Sequence, residues 1–218
     1  MNRKRRRKWC LPIAVTIVIT SCLGLCLLGC FSNNNENTPF QIAFTSLYVN
    51  ENALSDFGAY LLEEIPELNI NGKPPLFTPM IMGEVRNDIE SGILNDPMMG
   101  IGGMMRITAS VAAGEIDMVI SDLENAARNA RGGLFLPLDE IFTDGELAAF
   151  DDRLLSFDLL NTDGYEATPT GEKTPLCGIA ITSNEELRNI FANQEIGVFV
   201  IANTKNIELV RKVITALL

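Results

Sequence analysis

The chain of 218 residues contains no histidine, and this absence excludes several kinds of site at once. Histidine is the commonest general base in enzymes and a usual ligand of zinc. A Ser-His-Asp triad cannot form without it, and the sequence has no G-x-S-x-G motif. Acidic neighbours such as Glu63 and Glu64 do not face one another on a helix, so they make poor acid–base pairs. We therefore predict that the protein is not an enzyme.

Cysteine is almost confined to the start of the chain. Four of the five cysteines lie within residues 1–30, at Cys10, Cys22, Cys26 and Cys30. Only Cys177 remains beyond them, so a framework of intramolecular disulfides is excluded there. Cys177 stands in the apolar run 176–181, which favours a small core residue over a nucleophile.

Positive charge is scarce beyond residue 30. Six of the 17 Lys and Arg lie in the first eight residues, whereas all 28 Asp and Glu follow Cys30. The part beyond Cys30 therefore holds 11 cations and 28 anions, a formal charge of −17. Nucleic acid is excluded as a partner, because its binding needs a cationic face that displaces counterions. We interpret the acidity as a solvated surface.

The first 30 residues combine a cationic start with a long uncharged run. Residues 3–8 are all Lys or Arg, residues 9–29 carry no charge, and the run closes on Leu27-Leu28-Gly29-Cys30. This pattern is typical of an export segment with its positive end inside the cell. The closing L-x-G-C resembles a bacterial lipobox, which implies cleavage before Cys30 and attachment of diacylglycerol to its thiol. An uncleaved transmembrane anchor is the alternative, since about 20 apolar residues can span a bilayer.

Residues 31–39 are predicted to be a flexible tether. Their Asn-rich composition cannot bury enough apolar surface to fold. Residues 40–218 then form the folded domain. With either a lipid or a transmembrane anchor, this domain lies outside the cytoplasm, on the outer face of a bacterial cell membrane.

Five short apolar runs predict the strands of the domain. They are Gln41–Leu47, Leu76–Met82, Asp117–Ser121, Cys177–Thr182 and Val198–Ala202. Their hydrophobicity is continuous rather than alternating, which favours strands of a parallel sheet that is covered on both faces. Helical patterns lie between them, at 51–64, 104–113 and 207–217. The alternating order predicts an α/β domain with a doubly wound, mostly parallel sheet.

Local signals mark helix starts and one irregular segment. Capping boxes of the type S/T-x-x-E begin at Ser121, Thr143 and Ser183 and predict a helix after each of them. From 161 to 175 the sequence is rich in turn residues and has little periodicity, which predicts a long surface loop or a partly ordered excursion.

A glycine-rich segment before the predicted helix at 104–113 invites two chemical interpretations. Gly100-Ile101-Gly102-Gly103 has neither the lysine nor the preceding strand of a phosphate loop, and flexibility accounts for it better. Met98, Met99, Met104 and Met105 flank it, and thioethers bind Cu(I). Methionines also pack adaptably and form contact surfaces, and we favour those roles. We predict no metal site and no cofactor.

Two passages resemble a known family. Residues 111–120 read V-A-A-G-E-I-D-M-V-I and resemble the "helix, A-A-G-E-x-D, apolar strand" passage of extracellular solute-binding proteins, the receptors of bacterial ABC importers with a type II periplasmic-binding fold. Residues 132–140, G-G-L-F-L-P-L-D-E, are similar to the G-x-L-x-P-L-D-E of sugar-binding members. The resemblance implies a membrane-tethered solute-binding lipoprotein that serves uptake through an ABC permease. Carbohydrate is the leading solute class on this resemblance.

The resemblance covers one lobe of the family's architecture. Members of the family have two lobes that close over a solute in longer chains, and residues 144–175 are too few for a second lobe. The expectation is therefore a single lobe like those of periplasmic-binding proteins. The alternative is a one-lobed scaffold that contacts another envelope protein without capturing a solute. Its contact surfaces would be the Met-rich loop and the segment 161–175.

The predicted ligand-binding residues follow the ends of the strands. In open α/β sheets, ligands bind beyond the carboxyl ends of the strands, near helix N-termini. The hydroxyls, amides, carboxylates and single aromatic ring at these places would suit a polyol or a cationic amine, although the same residues could simply cap helices. The set comprises Thr45, Ser46 and Tyr48 after the first strand, Ser121, Asp122 and Glu124 after the third, Ser183 and Asn184 after the fourth, and Asn203 and Thr204 after the last.

Overall fold

The computed structural model describes residues 38–82, 97–161 and 167–218, with residues 97–101 described by their backbone alone. The export segment, the lipid site at Cys30 and nearly all of the tether lie outside these ranges. Within them, no helix is long and apolar enough to cross a membrane.

Strands and helices follow one another in the predicted order, with three additional short strands. The elements are β1 (Gln41–Ser46), α1 (Glu51–Glu64), β2 (Leu76–Ile81), α2 (Pro97–Ala112), β3 (Met118–Asp122), α3 (Leu123–Arg131), α4 (Asp144–Ala148), β4 (Leu154–Leu155), β5 (Asp158–Asn161), β6 (Thr168–Lys173), β7 (Gly178–Ile181), α5 (Glu185–Ile190), β8 (Ile196–Val200) and α6 (Ile207–Leu217). The unpredicted strands are β4, β5 and β6. Short 3-10 turns at 66–68, 138–140 and 151–153 complete the described elements.

The main sheet has six strands in the order β2-β1-β3-β8-β7-β4. β1 pairs in parallel with β2 and with β3. The pairs β3–β8, β8–β7 and β7–β4 are antiparallel. The prediction of a mostly parallel sheet is therefore correct only for the β2-β1-β3 end, and the whole sheet is mixed.

The chain does not return along the sheet between β7 and β8, so β8 runs antiparallel to β7. A parallel β8 would require the chain to travel back along the full length of the sheet after β7. The six residues of α5 rise only about 9 Å, whereas the five residues of β8 span about 17 Å. All five residues of β8 are buried, as are those of β3. The continuous hydrophobicity of these runs thus indicated burial on both faces correctly, but it carried no information on direction.

Helices cover both faces of the sheet, as predicted. One apolar layer joins Phe44 and Ile120 to α1, α5 and α6, for example through Phe57 of α1. The other layer joins Val119 and Phe199 to α2 and α3. Neighbouring residues of each strand alternate between these layers, because successive side chains of a strand point to opposite faces.

The observed helix starts confirm one of the three predicted capping boxes. The other two helices are capped one residue later than predicted. Thr143 and Glu146 form the predicted reciprocal box at α4. At α3 the cap is Asp122 rather than Ser121, and at α5 it is Asn184 rather than Ser183. In both cases the carboxylate or amide oxygen one residue later accepts the free backbone N–H.

Residues 168–173 of the predicted surface loop or partly ordered excursion at 161–175 form the strand β6. β5 and β6 form a separate two-stranded antiparallel ribbon, although residues 162–166 lie outside the described ranges. Phe157 and Thr174 close its base with two hydrogen bonds, of 3.0 and 2.8 Å. Turn residues such as Gly171, with φ +86°, are accommodated within an irregular pairing rather than in a free loop.

Gly102 and Gly103 also differ from the prediction, because they lie within α2 rather than in a flexible loop. A Cβ atom at Gly103 would stand 2.7 Å from the carbonyl oxygen of Ile81. Glycine therefore lets α2 pack directly against the end of β2. Gly114, with φ +68°, follows α2 in the left-handed conformation expected of a helix-ending glycine.

Candidate functional site

The two ends of the sheet carry different sets of residues. At the carboxyl edge, the ends of β1, β3 and β7 meet the start of the antiparallel β8. At the opposite amino edge, the starts of β1 and β3 meet the end of β8. The chain runs from β1 to β2 on one side and then crosses to β3 on the other. This reversal places a topological switch point, a common ligand position, at the ends of β1 and β3.

Two adjoining depressions at the carboxyl edge form a groove, which we call the edge groove. Their volumes are about 310 and 510 Å³. Leu123, Gln194 and Glu195 line both depressions. The remaining polar lining comes mainly from α3, through Asp122, Glu124 and Arg128, and from the end of β7 and α5, through Thr182 and Arg188.

Most charged groups of the groove have partners within the domain. Both carboxylate oxygens of Asp122 accept from Asn125, one from its backbone N–H and one from its side-chain amide, each at 2.8 Å. Glu124 pairs with Arg128 at 3.3 Å. Glu195 is exposed and has no partner among the described residues. It is thus the carboxylate of the groove that is left to meet a ligand.

Arg188 supplies the second cation of the groove. Its guanidinium donates to the carbonyl oxygen of Thr182, at the end of β7. Arginine carries five N–H donors, so this bond leaves others available. The larger depression therefore offers donors from Arg188 beside the carboxylate of Glu195.

Buried polar side chains concentrate at this edge. Of the eight that are buried in the described part of the chain, five lie at the ends of β1 and β3 or in the first turn of α3: Thr45, Ser46, Ser121, Asp122 and Asn125. The Thr45 hydroxyl oxygen has no hydrogen-bond partner among the described residues, and neither has the amide nitrogen of Asn129, which lies two turns along α3 towards the amino edge. Buried polar atoms are nearly always paired with protein or water, so these two atoms are exceptions.

The turn between α5 and β8 is strained. Ala192 and Asn193 both have left-handed backbones, with φ of 51° and 63°. Asparagine tolerates this region, but alanine rarely enters it. The turn delivers Gln194 to the centre of the groove, where its side-chain oxygen accepts from the Ser46 hydroxyl at 2.8 Å. Strain of this kind tends to persist at functional sites.

The predicted residues of the first and third strands all lie at or beside the groove. Asp122 and Glu124 line it, and Ser46 supports it through Gln194. Thr45 is buried and Ser121 donates to the carbonyl of Asp122, so both stand behind the lining. Tyr48 follows β1 and is 52% exposed.

The residues after β7 serve mainly the helix that follows. Asn184 accepts the N–H of Leu187 at 3.0 Å and caps α5, in agreement with the alternative that these residues cap helices. Ser183 is exposed. Thr182 and Arg188 stand in the groove lining instead.

The predicted position of Asn203 and Thr204 is wrong, because both lie at the amino edge. β8 runs antiparallel, so its end points away from the edge groove. The Asn203 amide donates to the carbonyl of Val111 at 2.7 Å. The Thr204 hydroxyl donates to a carboxylate oxygen of Asp117, also at 2.7 Å.

Asp117 organises the amino edge. Its carboxylate accepts from the backbone N–H of Gln41 at 3.0 Å, from Thr204, and from the Asn206 amide at 2.9 Å. These bonds tie the starts of β1 and β3 to the segment between β8 and α6. The role of Asp117 is therefore structural, with each oxygen engaged.

Sequence reasoning missed the central residues of the groove, Gln194 and Glu195. They precede β8, and only an antiparallel β8 brings its start to the carboxyl edge. The connection between β7 and β8 gave no signal of this direction, because a parallel crossover needs only about a dozen residues. Arg128 and Arg188 were missed because the prediction considered only residues directly after the ends of strands.

Neither a metal centre nor a reactive thiol stands out in the described part of the chain. No three of its Cys, Asp and Glu residues are placed to hold a metal ion. Cys177 is buried, and this burial raises the pKa of its thiol. It packs as a core residue, as predicted. No family model, curated protein or solved structure matches this chain.

Proposed function

We propose that the protein is an extracytoplasmic solute-binding lipoprotein, held to the membrane through Cys30, and that the edge groove recognises a small polar solute without covalent chemistry. The observation that carries this proposal is the concentration of buried polar side chains, one of them Thr45 with its unpaired hydroxyl, behind a groove at the switch point of the sheet. On the resemblance of residues 111–140, the domain corresponds to a single lobe of the periplasmic-binding type. An ABC permease is its expected partner.

The size and chemistry of the groove support a small solute. Ligand pockets commonly have volumes of about 300–1,000 Å³, and the two depressions, at about 310 and 510 Å³, lie within that range. Gln194 and Arg188 offer N–H donors, and Glu195 offers an acceptor. Hydroxyl groups both donate and accept, so a polyol or sugar suits this lining; a cationic amine could instead pair with Glu195.

A thermal-shift screen of the 218-residue chain tests the proposal. The panel holds sugars, oligosaccharides, amino acids, polyamines and Cu(I). A bound solute stabilises the folded state by about 2.7 kcal/mol at 100 times its Kd, so the shift should rise with concentration and saturate. We expect one class of solute to give such a saturable thermal shift, and we expect Glu195→Gln to reduce that shift.

The control is Glu172→Gln in the exposed ribbon, which removes the same charge away from the groove. It should leave the shift unchanged. Silence of the whole panel in a cooperatively folded sample would contradict solute recognition.

A second candidate function, contact with another envelope protein, draws on the apolar surface around the same edge. Five of the eight large hydrophobic side chains that are exposed in the described residues stand near the ends of β1 and β2: Leu47, Tyr48, Ile81, Met104 and Met105. Met105, the most exposed at 69%, belongs to the Met-rich segment singled out in the sequence. For this function, Met105→Lys should abolish cross-linking to a partner in envelope membranes. If the groove recognises a solute, Met105→Lys should leave the solute-induced thermal shifts unchanged.

A further inference from the structure

We propose that Gln194 determines the specificity of the edge groove by presenting its two amide hydrogens to an oxygen atom of the solute, and that Ser46 is the positioning residue that orients it. This inference rests on the proposed solute recognition.

The orientation follows from the hydrogen bonds of Ser46. Its side chain is fully buried, and its hydroxyl oxygen lies 2.8 Å from the side-chain oxygen of Gln194. The same hydroxyl oxygen receives the backbone N–H of Tyr48 at 3.5 Å. A hydroxyl has one hydrogen to donate, and the amide oxygen of Gln194 takes it. The two hydrogens on the Gln194 amide nitrogen meet no acceptor among the described residues.

The backbone around Gln194 is fixed on both sides. Its own N–H donates to the carbonyl of Phe191 at 3.2 Å. The next carbonyl, that of Glu195, accepts the N–H of Leu123 at 3.2 Å. The left-handed Ala192 and Asn193 lead into this arrangement at an energetic cost. The backbone bonds on both sides and the bond from Ser46 therefore fix the position of the Gln194 amide group.

Gln194 lies where the two depressions of the edge groove adjoin. Gln194 lines both depressions, so a molecule in either one lies beside it. A solute that offers a hydroxyl, carbonyl or carboxylate oxygen satisfies them. A diamine would bring N–H groups against N–H groups and leave buried donors unpaired, which strongly disfavours binding.

Gln41, the only other glutamine of the chain, provides a matched control at the amino edge. It also bonds to a hydroxyl, but in the opposite sense: its amide nitrogen donates to the oxygen of Thr78 at 3.0 Å. Gln41→Glu therefore makes the same chemical change as Gln194→Glu, at a site outside the groove.

The experiment is isothermal titration calorimetry of the 218-residue chain with three probes: maltose, L-glutamine and putrescine. The first two carry oxygen acceptors and the third has none. In Gln194→Glu the carboxylate still accepts from Ser46, but both amide hydrogens are lost. We expect an oxygen-bearing probe to bind the wild type and Gln41→Glu equally. Gln194→Glu should bind it at least about tenfold more weakly, with an unchanged Tm.

Each contrary outcome has its own meaning. Equal binding of maltose or L-glutamine by Gln194→Glu would overturn the role of Gln194 and leave solute recognition standing. Preferential binding of putrescine would also overturn the role of Gln194 and leave solute recognition standing. Failure of the wild type to bind any of the three probes would overturn both proposals. Ser46→Ala should weaken binding several-fold because the amide becomes free to turn, and wild-type affinity in this variant would remove Ser46 from the account.

Discussion

The two edges of the sheet use the same kinds of polar residue to different ends. At the amino edge, the buried carboxylate of Asp117 has donors from three residues, in two segments of the chain. At the carboxyl edge, Thr45 buries an unpaired polar atom, and Ala192 holds a strained backbone. Burial of polar groups is therefore not by itself a mark of function. The inventory of their partners separates a structural cluster from a candidate binding site.

The helices repeat this contrast. α6 buries Val210, Val213, Ile214 and Leu217, four apolar side chains that anchor it to the sheet. α3, which borders the edge groove, buries Asn125, Ala126, Asn129 and Ala130 instead. Because apolar burial is the main source of stability, the groove is built on the more weakly held element.

The largest expected effect is at the amino edge. Asp117→Ala leaves the N–H of Gln41 and the side chains of Thr204 and Asn206 without their acceptor, and we expect it to lower the free energy of unfolding by about 3 kcal/mol. Asp122→Ala at the groove removes a helix cap and should cost about 1 kcal/mol. Urea unfolding at equilibrium measures both. Equal losses of the free energy of unfolding in the two variants would contradict the distinction between the two edges.

A change of opposite sign is expected in the strained turn. Ala192→Gly relieves a left-handed alanine and should raise the free energy of unfolding by about 1 kcal/mol. The matched control is Ala59→Gly on the exposed side of α1, where the loss of helix propensity should lower it by about 1 kcal/mol. Destabilisation by both changes would show that the turn at Ala192 stores no strain.

The smallest effect concerns a surface carboxylate that belongs to neither cluster. Hydrogen bonds from the backbone N–H and the hydroxyl of Thr143, followed by the charge of Arg211, hold the pKa of Glu146 below its ordinary value of 4.5. A lowered pKa in the folded state stabilises the protein above the unfolded-state pKa, and the gain disappears as the pH falls through the folded-state pKa.

The stability difference between wild type and Glu146→Gln should therefore be present at pH 7 and fade at acid pH. Urea unfolding over a pH series measures it. Glu172→Gln controls for the loss of one surface charge. A difference that stays constant down to pH 3 would contradict the assigned cause.

Much of the fold could be predicted from local pattern. The residues predicted for α1 coincide with the helix, because its capping residue Asn50 and the spacing of Leu54, Phe57 and Leu61 are all local signals. β1 ends within one residue of its prediction for a similar reason. Strand direction could not be read in this way, because a run buried on both faces looks the same in either direction.

The ambiguity in strand direction decided how much of the candidate site could be predicted. Asp122 and Glu124 were placed correctly, since they follow a strand that runs with β1. Thr204 was placed at the wrong edge, and Gln194 and Glu195 were missed, because all three positions depend on the direction of β8. The strained backbone of Ala192 has no sequence signal, since alanine gives no warning of a left-handed conformation.

The most direct test of the central claim is a ¹⁵N–¹H NMR titration of the 218-residue chain with the solute that stabilises it in the thermal-shift screen. We predict saturable shifts of the backbone amide signals of Leu123, Gln194 and Glu195 at the carboxyl edge. The signals of Gln41, Asp117 and Thr204 at the amino edge should stay in place. Shifts confined to the amino edge, or none at either edge while the solute binds, would contradict the assignment of the edge groove as the recognition site.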